Sequence, residues 1–216
     1  MVRPARRRKT TRLKGYDYAQ PGAYFVTVCV QRRECLLGSV VGEAMQPSVA
    51  GKIAEECWRA LPEHYGNVQL DAFTLMPNHL HGIVILTDDR PETNSAAPTA
   101  GVGAGFKPAP TGTNGHRTSL SEVVRGFKTF SARRINELRG TPGAAVWQRS
   151  FYEHVIRSEH DLVAVREYIG GNPPKWAEDQ ENPDVVPAAG AGAGLNTAPA
   201  RPPNRRGGFE TRPYTV

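Results

Sequence analysis

The stretch at residues 68–86, VQLDAFTLMPNHLHGIVIL, decides the fold class of this chain. It contains two runs that are rich in apolar and β-branched residues, at 68–75 and 79–86, and only three residues separate them. So short a connection between two strand-like runs predicts an antiparallel hairpin. The GIVIL run that ends the stretch is apolar on both faces, which is typical of a strand in the middle of a sheet.

Two more strands and three helices are predicted on either side of this hairpin. The runs at residues 23–30 and 151–157 favour strands. The helices are predicted after Ser48 and up to Pro62, after the capping box of Ser119 and Glu122, and after Ser158. The predicted buried stripes are Val49, Ile53, Cys57 and Leu61 in the first helix, Leu120, Val124, Phe127, Ile135 and Leu138 in the second, and Leu162, Val165 and Ile169 in the third.

The order strand, helix, strand, strand, helix, strand, helix predicts an α+β fold. A ferredoxin-like antiparallel sheet with helices on one face, followed by one more helix at the C-terminal end, accommodates this order. The predicted domain covers residues 15–178, includes a mobile insertion at 88–118, and lies between a basic tail at 1–14 and a disordered tail at 179–216. The insertion and the C-terminal tail are rich in Pro, Gly and Ala, so they hold too few large apolar side chains to offset the entropy of ordering them.

The composition excludes several classes of protein. Hydrophobic residues make up 39% of the chain, yet no apolar run approaches the ~18 residues that cross a bilayer. The basic start is not followed by an apolar stretch, so it differs from a secretory signal, and we expect a cytoplasmic, nucleoid-associated protein without a membrane partner. The three cysteines form no CxxC pair, which argues against a disulfide framework and a zinc knuckle. We expect reduced thiols, with Cys29 and Cys57 in the core.

The formal net charge of +6 favours a polyanionic partner, and nucleic acid is the first candidate. The predicted DNA-binding residues are Arg6, Arg7, Arg8, Lys9 and Arg12 in the basic tail and Arg125, Lys128, Arg133 and Arg134 on the second helix. Such side chains contact a phosphate backbone without reading its sequence. The alternative, that the basic tail is only a solvated segment, stays open at this point.

His79 and His81 are candidate metal ligands. Side chains alternate along a strand, so both imidazoles project from one face and Leu80 from the other. A His-x-His pair alone is a weak motif, and two structural histidines are the alternative. The pair lies at the start of a buried strand, where an unpaired polar group is costly, which favours the ligand role.

Tyr168 and Asn172 lie four residues apart at the end of the last helix, so they share one surface of it. Tyr168 flanks the apolar stripe instead of belonging to it, and an edge tyrosine with its hydroxyl in water is the alternative. Asn172 before Pro173 is also a natural helix stop. Gly170 and Gly171 each cost roughly 1 kcal/mol in helix propensity, so this turn is expected to fray without DNA. His154 is expected to be a structural histidine.

Two motifs carry a resemblance to a known family. MPNHLH at residues 76–81 and YIGGNPPKW at 168–176 resemble the REP-associated tyrosine transposases, relatives of the single-strand insertion-sequence transposases. GYDYAQPGAYFVT at 15–27 and WQRSFYEHVIR at 147–157 belong to the same resemblance, which covers about residues 12–176.

The resemblance implies an endonuclease of the HUH type that cuts single-stranded DNA beside palindromic hairpins. It implies Tyr168 as the catalytic residue, which forms a 5′-phosphotyrosine, and His79, His81 and Asn172 as ligands of a divalent ion, Mg²⁺ or Mn²⁺. Ligand hardness alone favours Mn²⁺ or Zn²⁺ for two imidazoles. Two alternative functions remain, a metal-dependent nuclease that uses water as the nucleophile and a hairpin-binding protein without activity. The sequence leaves open whether the chain acts alone or as a homodimer.

Overall fold

The computed structural model describes residues 13, 15–88, 117–179 and 181–185. Its strands are β1 (Gly22–Cys29), β2 (Gly38–Val41), β3 (Ala44–Pro47), β4 (Val68–Met76), β5 (His79–Leu86) and β6 (Tyr152–Ile156). Its α-helices are α1 (Val49–Arg59), α2 (Leu61–His64), α3 (Leu120–Arg139) and α4 (Glu159–Gly170), and its 3₁₀ helices are Gln31–Arg33 and Pro173–Glu178.

Four of these strands form one antiparallel sheet in the order β4-β5-β1-β6. The predicted α+β class and the ferredoxin-like sheet are thereby confirmed. In the β4–β5 hairpin Met76 pairs with His79, so the turn has two residues instead of the predicted three. Strands β2 and β3 form a separate small hairpin that the sequence did not predict.

Helices α1 and α3 pack on one face of the sheet. Their Trp58 and Phe127 rings meet at 5.4 Å between centroids, and both belong to the larger core cluster with Tyr24 of β1 and Leu80 of β5. Gly82 makes this packing possible, because a Cβ at that position would lie 2.4 Å from the Trp58 ring. The ring of Trp58 therefore rests directly on the β5 backbone.

Helix α4 covers the opposite face. Its Val165 and Ile169 pack with Phe25 and Ile83 of the central strands and form a second, smaller core cluster. Because side chains alternate along a strand, this is also the face from which His79 projects. The predicted helices on one face are thus α1 and α3, and the C-terminal helix forms a layer of its own.

Two of the predicted helix stripes need correction. Val49 is 61% exposed, and the buried face of α1 consists of Ala50, Ala54 and Trp58, one position further along. The large Trp58 ring explains the rotation, since it has to lie over Gly82. Leu138, near the end of α3, is 53% exposed and does not reach the core.

Two other core predictions are only partly correct. Cys29 and Cys57 are partly buried at the edge of the core, and all three cysteines are free thiols. Leu61 is buried as expected, but it belongs to α2, since α1 ends at Arg59.

The packed structure extends beyond residue 178, where the disordered tail was predicted to begin. Glu181 is only 3% exposed and forms an ion pair with Arg33, 2.9 Å between Glu181 Oε2 and Arg33 Nε. Residues 186–216, most of the predicted insertion and most of the basic tail lie outside the described residues. In the described part of the chain, no helix combines the length and the apolar character that a membrane crossing requires.

Candidate metal and nucleophile site

The two histidines of the β5 strand face each other in a buried position. Their Nε2 atoms are 3.0 Å apart, and both side chains are fully shielded from solvent. Each Nδ1 atom has a fixed partner, the Asn78 Oδ1 atom for His79 and the Thr27 Oγ1 atom for His81, both at 2.8 Å. The Asn78 oxygen can only accept, so His79 Nδ1 carries a proton and His79 Nε2 presents a lone pair.

Both imidazoles are held in the neutral form. Burial lowers the pKa of His79 to about 3, and the nearby Arg33 guanidinium acts in the same direction. Burial and the neighbouring His79 also lower the pKa of His81 well below its ordinary value. Neutral imidazole is the form that binds a metal ion.

The donor set fits a divalent ion. His79 Nε2 presents a lone pair to His81 Nε2 at 3.0 Å, and two facing lone pairs would repel each other. Either His81 Nε2 carries a proton, or a cation lies between the two nitrogen atoms. Two ligand atoms at right angles, each about 2.1 Å from an ion, lie about 3.0 Å apart, so the observed separation suits neighbouring positions of an octahedron. In the described residues, no group of three His, Cys, Asp or Glu side chains is already arranged to hold a metal.

Asn172 lies just after α4 and is buried. Its Nδ2 atom donates to the Tyr168 carbonyl at 2.8 Å, which leaves its carboxamide oxygen available as a ligand. This contact joins Asn172 to the backbone of Tyr168 and not to its phenol.

Tyr168 packs against the histidines within the same chain. Its ring lies 5.3 Å from the His81 ring and 5.8 Å from the Phe25 ring between centroids. Burial, followed by the Asp179 charge, raises its pKa to about 12, although the Asn172 side chain acts in the opposite direction. The phenol is therefore protonated at neutral pH. It lies partly buried against aromatic rings, not at a water-exposed helix edge.

The segment after α4 covers the histidine pair. The Trp176 ring lies 6.2 Å from the His79 ring, and Asp179 Oδ2 lies 3.9 Å from His79 Nε2. Asn78 Nδ2 donates to the carbonyls of Glu181 and Arg33, at 2.6 and 3.1 Å. Sequence reasoning missed Thr27, Asn78, Asp179 and Glu181. Asn78 and Thr27 had a signal, since they lie inside MPNHLH and at the end of GYDYAQPGAYFVT.

Polar side-chain contacts join α4 to the two edge strands of the sheet. Arg166 donates to both carboxylate oxygens of Asp71 in the β4 strand, at 2.9 and 2.6 Å. Asp161 accepts from His154 of the β6 strand at 2.9 Å. His154 therefore has a polar partner away from the histidine pair, as a structural histidine does.

The predicted DNA-binding residues of α3 lie in the layer opposite the histidine pair. Arg125 and Arg133 are exposed, and Arg134 forms an ion pair with Glu56 at 2.7 Å. Lys128 donates to the carbonyls of Gln148 and Ser150, at 3.0 and 2.9 Å. The structure therefore does not bring these four residues to Tyr168, and Arg6, Arg7, Arg8, Lys9 and Arg12 lie outside the described residues.

The chain resembles several known proteins, although no protein-family model matches it. A Haemophilus influenzae protein described as uncharacterized is 35% identical over 177 residues, which covers 80% of this chain and 92% of that protein. A second protein from the same organism, described as a "putative REP-associated tyrosine transposase", is 24% identical over 160 residues, which is 74% of each chain. The predicted family resemblance is confirmed.

Two solved structures are similar at 20% sequence identity. One is a REP-associated tyrosine transposase bound to a REP hairpin, with a TM-score of 0.49 over 77% of this chain and 74% of that chain. The other, described as a "putative transposase" from Deinococcus radiodurans, has a TM-score of 0.38 over 74% of this chain and 96% of that chain.

Proposed function

Since this chain belongs to the same family as the Haemophilus influenzae protein that is 35% identical to it, and resembles the REP-associated tyrosine transposases, we propose that it cuts and rejoins single-stranded DNA beside palindromic hairpins. One observation carries the proposal. The Tyr168 ring packs at 5.3 Å against His81, whose Nε2 atom faces that of His79 in the same chain. This contact supports a reaction in which the candidate nucleophile and the candidate metal ligands come from the same subunit.

Tyr168 is the proposed nucleophile. Its phenol oxygen bonds to the phosphorus of the scissile phosphate while the bond between phosphorus and the 3′-oxygen breaks. The phenol loses its proton and the departing 3′-oxygen gains one, which leaves a 5′-phosphotyrosine and a free 3′-hydroxyl. Attack of a 3′-hydroxyl on the phosphotyrosine reverses the step at a new junction, so strand transfer requires no nucleotide cofactor.

His79, His81 and Asn172 are the proposed ligands of a divalent ion, Mg²⁺ or Mn²⁺. When bound, such an ion polarises a non-bridging oxygen of the scissile phosphate. The hydrogen bonds with Asn78 and Thr27 hold the two imidazole rings in one orientation beforehand. Both rings are neutral, so no imidazolium has to be deprotonated. To bind through Nε2, His81 would carry its proton on Nδ1, where the Thr27 hydroxyl can accept it.

Asn172 has a second proposed role beside the nucleophile. Its side chain lowers the pKa of the Tyr168 phenol, which burial and the Asp179 charge raise. A polar neighbour that favours the phenolate assists the loss of the phenolic proton during attack.

Positive charge away from the site is proposed to bind the hairpin. Arg125 and Arg133 are exposed on α3, in the layer behind the sheet, so they are suited to contact the phosphates of the stem and not the scissile phosphate. Such contacts add salt-dependent affinity without sequence specificity.

A nicking assay tests the proposal directly. End-labelled hairpin oligonucleotides with single-stranded flanks are incubated with the chain and Mn²⁺ and separated on a denaturing gel. We expect a shortened DNA strand and a slower DNA–protein band that protease removes, and both should disappear in EDTA.

Two variants complete the assay. Tyr168→Phe should abolish both products, whereas Tyr65→Phe should retain them, because Tyr65 packs beside α3 in the opposite layer. Nicking by the Tyr168→Phe protein would instead indicate water as the nucleophile. Hairpin binding by the unmodified chain without nicking would indicate a binding protein.

A further inference from the structure

A carboxylate from the segment after α4 points toward the histidine pair. Asp179 directly follows the 3₁₀ helix Pro173–Glu178, and its Oδ2 atom lies 3.9 Å from His79 Nε2. Its side chain is only 7% exposed. A buried carboxylate is costly unless a cation or hydrogen-bond donors compensate its charge.

Backbone hydrogen bonds fix the orientation of Asp179. The Glu181 N–H donates to Asp179 Oδ1 at 2.8 Å, the Asn182 N–H donates to the Asp179 carbonyl at 2.9 Å, and the Asp179 N–H donates to the Trp176 carbonyl at 3.1 Å. Oδ1 is thus engaged, and Oδ2 is the atom that faces His79.

The same segment is joined to the partner of His79. The Glu181 carbonyl accepts from Asn78 Nδ2 at 2.6 Å, and the Glu181 carboxylate accepts from Arg33. Asn78 in turn orients the His79 ring through its Nδ1 atom. The position of Asp179 and the direction of the His79 lone pair are therefore set by one group of contacts.

In the described part of the chain, the Asp179 carboxylate forms no ion pair with a lysine or arginine side chain. The facing His79 is neutral, and the Arg33 guanidinium, which pairs with Glu181, acts on Asp179 only through its charge. A divalent ion between His79 and Asp179 would place positive charge directly beside this carboxylate.

On this basis we propose that Asp179 is a fourth protein ligand of the divalent ion held by His79, His81 and Asn172, an inference that rests on the proposed function. Ligand atoms at right angles around an ion, with bonds of about 2.1 Å, are about 3.0 Å apart. With the ion bound, Oδ2 would therefore lie about 1 Å nearer to His79 Nε2 than the observed 3.9 Å. The added hard oxygen favours Mg²⁺ or Mn²⁺ over the softer ions that two imidazoles prefer.

Metal binding without DNA tests this ligand. Mn²⁺ is titrated into the full chain in a calorimeter, and free Mn²⁺ is followed independently by electron paramagnetic resonance. The Asp179→Asn variant keeps an Oδ1 acceptor for the Glu181 N–H and removes only the charged oxygen. We expect its Mn²⁺ affinity to fall at least about tenfold, as loss of a group that tunes a metal site typically does.

Glu178→Gln is the matched control, because it removes the same charge from an exposed neighbour in the same segment. It should change the Mn²⁺ affinity less than about twofold, as screened surface charges do. If Asp179→Asn also melts at a lower temperature without metal, Asp179→Glu must restore Mn²⁺ binding.

The outcomes separate this inference from the proposed function. An equal loss of Mn²⁺ affinity in Asp179→Asn and Glu178→Gln would overturn the inference, and so would an unchanged affinity in Asp179→Asn. Either result would leave the proposal that His79 and His81 bind the ion unaffected. If the unmodified chain binds no Mn²⁺ at all, the metal-dependent reaction itself fails.

Discussion

The two faces of the sheet are built from different interactions. The face under α1 and α3 carries a core cluster of 22 buried residues, with Trp58, Phe127 and Trp147 in ring contact. Among the described residues, the face under α4 carries a cluster of six, and polar side-chain contacts join this helix to both edge strands. The larger apolar face supplies most of the stability, because buried apolar area dominates folding energetics. The smaller face, where polar side chains are buried, holds the candidate chemistry.

The largest expected effect concerns activity on the α4 face. Replacement of His81 by Ala should lower nicking by about a thousandfold or more, since it removes a proposed metal ligand worth several kcal/mol of transition-state stabilisation. Hairpin affinity, measured by gel shift, should change only a few-fold. Undiminished nicking would contradict a metal pair at this position.

The largest stability effect is expected on the opposite face. Phe127→Ala should reduce the free energy of unfolding by about 3–5 kcal/mol, because it leaves a cavity beside Trp58 and Trp147. Urea unfolding measures this, with Leu138→Ala on the same helix as the control. Leu138 is exposed, so its truncation should cost no more than about 0.5 kcal/mol. Similar costs for both variants would show that α3 does not pack as described.

A smaller effect is expected where α1 rests on the sheet. Gly82→Ala places a methyl group within 2.4 Å of the Trp58 ring, so the tryptophan has to move. We expect a loss of about 1–3 kcal/mol in unfolding free energy, as for other overpacked cores. Gly140→Ala is a poor control because of its positive φ, whereas Gly170→Ala on α4 has open space and no such strain. An unchanged free energy of unfolding in Gly82→Ala would contradict the packing of Trp58 on Gly82.

The smallest stability effect should come from the ion pair of α4. Arg166→Gln removes a half-exposed partner of Asp71, so the loss should stay below about 1 kcal/mol. Nicking should nevertheless fall several-fold, because Tyr168 lies on the same helix. Arg59→Gln, which removes an exposed ion pair on α1, should leave nicking unchanged. Equal nicking rates for both variants would show that this pair does not help to position Tyr168.

The same variant has a defined dependence on pH. Arg166 lowers the pKa of Asp71 in the folded chain. The pair therefore stabilises the fold at pH values above the ordinary range of an aspartate, and this contribution is lost as the pH falls through the lowered pKa. Urea unfolding at neutral and at acidic pH measures this contribution. The free energy of unfolding should fall less between the two pH values in Arg166→Gln than in the unmodified chain.

Predictions from the sequence succeeded where the signal was local. Ser48, Ser119 and Ser158 cap their helices as expected, and Ser119 forms its capping box with Glu122. They were less successful where contacts with other elements determine which residues are buried. The α1 stripe is rotated by one position because Trp58 needs the space above Gly82. The β2–β3 hairpin was missed because its strands have only four residues each and contain no fully buried residue.

By itself, the sequence determined the antiparallel β4–β5 hairpin, the common face of His79 and His81, and the four-residue spacing of Tyr168 and Asn172. Each depends on the period of a strand or a helix, which acts over a few residues. Only the tertiary structure decided that α4 lies on the face of the histidines, and that Thr27 and Glu181 reach the site. These contacts join residues 54 and 103 positions apart, such as Thr27 with His81 and Asn78 with Glu181. Side-chain packing between elements, and not local periodicity, sets such distances.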